Sequence, residues 1–140
     1  GAYLIFNIAY ASLNFPFGLL ADKWKPQHVY ALGLVCFGTA YAGLGLTDDH
    51  VLAVALIVIY GGFSAANDVV GKSWVSKLAG DHQQLTVQSR LQGLGGFGIL
   101  IAGVWAGLAW PLGDGFGVVP LLISGTFGMI AAAVLWRVKL

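Results

Sequence analysis

Charge is scarce in this chain: Asp, Glu, Lys and Arg together make up 9% of its 140 residues. Soluble domains carry about 25%. With so little charge and 58% hydrophobic residues, the chain is excluded from the soluble globular class and expected to be an integral membrane protein. A net charge of +1, without a clustered basic face, excludes nucleic acid as a partner. The single cysteine, Cys36, excludes a disulfide framework and a multi-cysteine metal site. It lies within an apolar run and reads as a small packing residue. His28, His50 and His82 fall at loops or span ends, so no pair has metal-ligand spacing on a helix, and solvated positions are expected for them. No Ser, His and acid constellation lies within the apolar regions, and no nucleotide motif is present. No enzyme activity, metal or cofactor is therefore expected. Neither a cationic leader nor a small-residue cleavage site precedes Tyr3, and the first residue is Gly. The chain is expected to be a piece of a longer polypeptide.

What the sequence does contain is five long apolar runs, each near the roughly 20 residues that a helix needs to cross a bilayer. They cover about 3–20, 29–46, 51–70, 91–109 and 116–136. The fold class expected is an all-α integral membrane bundle of five transmembrane helices. Charge and Pro26 stop the first span. The third is expected to continue beyond Val70 as far as Leu78. The longest polar stretch, Gly80 to Gln84, precedes the fourth span, and Pro111 to Gly115 forms the turn before the fifth.

The basic residues, Lys23, Lys25, Lys72, Lys77, Arg90, Arg137 and Lys139, all fall on one side once these spans are laid across a membrane. Asp48, Asp49 and Asp114 fall on the other. By the positive-inside rule the basic side and the C-terminus are cytoplasmic, and the N-terminus is outside. The location expected is the cell (inner) membrane. Trp24, Trp74, Trp110 and Trp136 lie near span ends and read as interfacial anchors, whereas Trp105, inside the fourth span, fits packing or cavity lining. Many of the 21 glycines lie within spans. Gly103 and Gly107, four apart, with Gly96 on the same ridge, are expected to let neighbouring helices approach closely.

Two sets of polar residues interrupt the apolar runs. Tyr3, Asn7, Tyr10 and Asn14 recur at spacings of four, three and four, which places them on one face of the first span. Carboxamides in hydrocarbon need partners, so this face must look toward other helices or a water-filled cavity. Interhelical hydrogen bonding and a substrate-facing wall both fit. In the third span Tyr60, Ser64, Asn67 and Asp68 run along one side, extended by Gly71 and Lys72. Asp68, eighteenth from Val51, lies about 26 Å along that span, toward its basic end. An isolated carboxylate at mid-membrane costs about 3 kcal/mol on insertion scales. Attraction to a cation 4 Å away, at an effective dielectric of 20, is about 4 kcal/mol. Lys72, four residues on, can therefore keep Asp68 ionised. The pair reads either as an aid to insertion or as a gate or coupling site.

The segment Gly18-Leu19-Leu20-Ala21-Asp22-Lys23-Trp24 resembles the loop signature of the major facilitator superfamily, a glycine followed four residues later by Asp and then a basic residue. Lys25-Pro26-Gln27-His28 replaces the usual glycine and basic cluster, as suits the weaker copy between the eighth and ninth helices. Tyr60 to Asp68, followed by Lys72, is similar to the tenth helix of a bacterial branch, where a Thr-Glu pair and a Lys occupy the Asn67-Asp68 and Lys72 positions. Arg90, Gly93, Gly103, Gly107 and Trp110 resemble the approach to the eleventh helix, and a final helix ends in Arg137. The resemblance covers nearly the whole chain as helices eight to twelve, without the seventh helix and the N-terminal half.

That resemblance implies secondary transport of a small solute by two six-helix halves that rock about a central site. Helices like the first, third and fourth spans would line the cavity. The residues expected at the substrate site or cavity are Asn7, Tyr10, Asn14, Tyr60, Ser64, Asn67, Asp68 and Lys72. Gly18, Asp22, Lys23 and Arg90 are expected to act in gating. The implied partners are a small-molecule solute with the proton as a candidate coupling ion, the lipid bilayer, and the remaining helices of the parent transporter. The competing reading is a non-transporting scaffold or assembly subunit whose glycine-rich faces bind partner helices.

Overall fold

A computed structural model describes residues 1–113 and 117–138. Its helices are α1 (Ala2–Lys23), α2 (Pro26–Leu46), α3 (His50–Ala66), a π-helical turn (Asn67–Gly71), α4 (Lys72–Leu78), α5 (Gln84–Ala109) and α6 (Val118–Arg137). From α3 through the π-helical turn to α4 the chain forms one continuous span, His50–Leu78, so five helices are long and apolar enough to cross a membrane. Asp114, the expected start of the fifth span at Phe116, and Lys139 lie outside the described residues.

Local chemistry sets the helix ends. Trp24 is extended and returns its N–H to Leu20 O, closing α1. Pro26 then opens α2 at its first turn, where a missing N–H costs nothing and Lys25 is held extended. Asp49 caps α3, its Oδ1 accepting from Val51 N at 2.9 Å. α5 begins at Gln84, ahead of the expected Leu91, so Arg90 sits on a helix rather than in a loop. Gly117 begins α6 at φ 72°, and a Cβ there would meet the Trp110 ring at 2.7 Å. Only glycine suits that position.

Lipid supplies no hydrophobic drive between helices, so small residues decide where they meet. α2 packs most extensively on α6 and next on α3, while α1 packs on α3. A Cβ on Gly33 would stand 2.5 Å from Ala66 Cβ, and one on Gly125 would stand 3.0 Å from Gly38 O. Phe17, Val29, Ala65, Ala66 and Val70 form the core where α1, α2, α3 and the π-helical turn converge. α5 makes only slight contacts, with α4 and α6, and Ala109 is its one buried residue. The close packing expected at Gly96, Gly103 and Gly107 is not made among the described residues: a Cβ at any of them would meet nothing within 4 Å there. The close approaches occur instead at Gly33, Gly38, Gly61 and Gly125.

The short connections reverse the chain between successive spans. Lys23, Lys25, Lys77 and Arg137 thereby gather at one end of the bundle, and Asp48 and Asp49 at the other. Gln27, buried at that basic end, donates from Nε2 to Val138 O at 2.8 Å and latches α2 to the end of α6. His28 is not a solvated loop residue. It lies in the first turn of α2 with its ring centroid 4.5 Å from that of Trp136.

Candidate solute cavity

A close approach brings the polar residues of α1 to the π-helical turn. A Cβ on Gly61 would lie 3.1 Å from Ala9 Cβ and 3.2 Å from Tyr10 N, and one on Gly18 would stand 3.9 Å from Val69 Cγ1. With the helices this near, the Tyr10 hydroxyl donates a hydrogen bond to Asp68 Oδ2. Lys72 Nζ stands 3.0 Å from Asp68 Oδ1. Both carboxylate oxygens thus have a donor, one from another helix and one from the next turn of the same span.

An α-helix would carry Tyr60, Ser64, Asn67 and Asp68 along one side, but the π-helical turn begins at Asn67. Its extra residue per turn re-aims the side chains beyond Ala66. Asn67 and Asp68 accordingly serve different neighbours: Tyr30 OH of α2 donates to Asn67 Oδ1 at 3.2 Å, while Asp68 is bound to α1. Tyr60 leaves the polar track and packs among aromatic rings, with centroids 5.5 Å from Phe6, 5.6 Å from Tyr41 and 5.9 Å from Phe63. Ser64 is half-buried.

On α1, Asn7 donates one N–H to Tyr3 O at 2.7 Å within its own helix. Asn14 Oδ1 is buried and has no hydrogen-bond partner among the described residues. Of the face expected on α1, Tyr10 is the residue that reaches across. Asp22, Lys23 and Arg90 are exposed, and no ion pair joins them in this structure.

A cavity of about 590 Å³ lies between the π-helical turn, α4 and α5, with Asn67, Asp68 and Lys72 on one wall and Gln88, Gln92 and Ile99 on the other. Gln88 Nε2 reaches Ser76 Oγ at 3.2 Å and Lys72 O at 3.4 Å. Tyr30 and Trp74 complete the lining. The sequence alone does not assign Tyr30, Gln88 and Gln92 to the site, and it places Trp74 at the interface. The spacing of four between Gln88 and Gln92, just before the Gly95-Gly96 pair, is the readable signal for a polar wall on α5. A second cavity, about 600 Å³, is lined by Phe37, Trp105, Ile123 and Phe127 and carries no titratable group; Trp105 does not line the cavity that holds Asp68 and Lys72. Among the described residues no cluster of His, Cys, Asp or Glu is suited to a metal ion.

Five apolar spans among the described residues, with an acid and a base on the wall of one cavity, define a multi-pass membrane bundle. The chain belongs to the Major Facilitator Superfamily, whose family model matches residues 2–140, a family of membrane transporters rather than enzymes. It is similar to an uncharacterised transporter of that type from Methanocaldococcus jannaschii, 28% identical over 127 residues. The match covers 88% of this chain and 32% of the relative, so the chain spans about a third of that protein's length. No solved structure matches it.

Proposed function

We propose that the chain forms the C-terminal part of a major facilitator transporter, its spans corresponding to helices eight to twelve. The whole protein moves a small solute across the inner membrane by alternating access. The order of the motifs supports the placement, and the share of the relative that is covered agrees with a fragment of a longer transporter. The observation that carries the reading is Asp68, held by Lys72 and Tyr10 at the wall of the cavity. Intramembrane acids of this kind mark substrate and proton routes.

Asp68 is the candidate proton carrier. A proton taken up from water at Oδ1 neutralises the carboxylate and releases Lys72 from the pair. The tie between α1 and the π-helical turn then loses the charge that strengthens it. Such a contact, with two arrangements of similar energy, is what a rocking transition needs. Gly18, at the contact with Val69, gives α1 a small-residue pivot. Asp22, Lys23 and Arg90 are free to pair in the opposite conformation. The gathering of Lys23, Lys25, Lys77 and Arg137 at one end supports a cytoplasmic C-terminus and an external N-terminus.

The exposed glycine ridge of α5 favours a second reading, a scaffold that binds partner helices. The two separate by labelling at Asn14→Cys in the full-length parent protein, in a background free of other reactive thiols. Alternating access expects a membrane-impermeant maleimide to react from either side of the membrane. Reaction from neither side, or from one side only, supports the scaffold.

A further inference from the structure

We propose that the cavity beside Lys72 takes a monocarboxylate with a compact apolar body, its carboxylate on Lys72 Nζ and the Asn67 amide. This rests on the transport reading and names its substrate class.

The inference rests on an inventory of donors and acceptors. Asp68 is already served at both oxygens, by Lys72 and Tyr10. The Lys72 ammonium has three N–H donors and one carboxylate oxygen as partner. Its side chain is 59% exposed, against 37% for Asp68, and both line the cavity. Tyr30 occupies Asn67 Oδ1, which leaves the Asn67 NH₂ group to a ligand. Gln88 spends its NH₂ group on Ser76 Oγ and Lys72 O. Trp74, on the same lining, adds an indole N–H, which can only donate.

The Gln88 and Gln92 amide oxygens on the facing wall can still accept, but the groups beside Lys72, its own two remaining N–H donors and the Asn67 NH₂ group, suit an acceptor-rich anion. A cationic solute would have to share the Asp68 carboxylate with Lys72 and Tyr10 and would stand beside the Lys72 ammonium, a like charge. The remaining wall sets the shape of the solute. Gly95 and Gly96 carry no side chain, and a Cβ on either would meet nothing within 4 Å, so α5 leaves room opposite Lys72. Leu91, Ile99 and the Trp74 ring supply apolar surface around that room. A bare inorganic anion would leave this surface in contact with water, whereas a short aliphatic or aromatic carboxylate covers it.

Three near-isosteric probes test the class on the purified full-length parent protein: phenylacetate, phenylacetamide and 2-phenylethylamine. Binding is read by calorimetry in detergent. Phenylacetate is expected to bind at least about tenfold more tightly than the other two, the scale of one charge-assisted hydrogen bond. Lys72→Gln is expected to abolish that preference and Lys72→Arg to keep it. Asp68→Asn combined with Lys72→Gln removes both charges of the pair and is expected to lose the preference in a folded protein. Equal or tighter binding of the amine or amide, no binding of phenylacetate, or an unchanged preference in the folded double variant would each overturn the proposal. The transport reading is separable in proteoliposomes. Uptake of a neutral or cationic solute without phenylacetate binding sinks the anion class alone, whereas phenylacetate binding without uptake of any probe sinks transport and leaves an anion site.

Discussion

The hydroxyl of Tyr10 and the carboxylate of Asp68, 58 residues apart in sequence, share the hydrogen bond that joins α1 to the π-helical turn. Hydrogen bonds to ionised groups contribute about 1.5–3 kcal/mol. Tyr10→Phe keeps the ring and removes the donor, leaving Asp68 Oδ2 without its partner. The expected outcome is a full-length protein destabilised by about 1–3 kcal/mol in a denaturation assay, with reduced transport. Tyr3→Phe, at a residue 78% exposed, should leave both near the parent values. Equal effects from the two changes would show that the Tyr10 contact holds nothing together.

Glycine contacts divide the helices into packed and unpacked faces. Gly33→Ala puts a Cβ 2.5 Å from Ala66 Cβ, an overpacking expected to cost about 1–3 kcal/mol. Gly103→Ala meets nothing within 4 Å among the described residues, and better helix propensity should make it neutral or slightly stabilising here. If the remaining helices of the parent cover α5, Gly103→Leu should destabilise the full-length protein. Thermal unfolding of the two variants side by side would reveal whether that ridge is covered in the whole protein.

Asp22 and Asp48 are both exposed, yet they belong to opposite ends of the bundle and have different expected roles. Asp22→Asn should weaken uptake by the parent protein more than Asp48→Asn does, because Asp22 lies in the segment that resembles the family's gating loop. Comparable losses at matched membrane abundance would remove the gating role. Asp49 is a control of another kind, since it caps α3. Its replacement by Ala should cost about 1 kcal/mol of stability.

The five spans are legible in the sequence because length and apolarity set them, and those properties survive any detail of packing. Site residues are legible only in part. Asp68 and Lys72 stand out because a charge pair four apart on a helix depends on local geometry alone, and the structure keeps them 3.0 Å apart. Tyr60 groups with them only if the α-helix is uninterrupted, and the π-helical turn at Asn67 breaks that register. Nothing in the local sequence announces such a turn. Tyr30 and Gln88 escape a sequence reading because their roles depend on which helices become neighbours. For the same reason Gly103 and Gly107 read as packing positions, although their helix has few partners among the described residues.

The pairing of Asp68 with Lys72 yields the sharpest test, because either charge alone is expensive where both together are tolerated. Asp68→Asn or Lys72→Met singly should lower the amount of folded protein in the membrane, and Lys72→Met should do so more, since it leaves an unpaired carboxylate inside a span. The double variant removes both charges and should regain abundance. Its transport activity then distinguishes structure from function. A pair that only eases insertion restores transport along with abundance. A proton carried on Asp68, or a solute held by Lys72, leaves the double variant abundant and inactive, and this is the outcome expected from the exposure of both side chains to the cavity. Uptake measured per folded molecule makes the comparison, and full activity in the double variant would reduce Asp68 and Lys72 to an insertion aid.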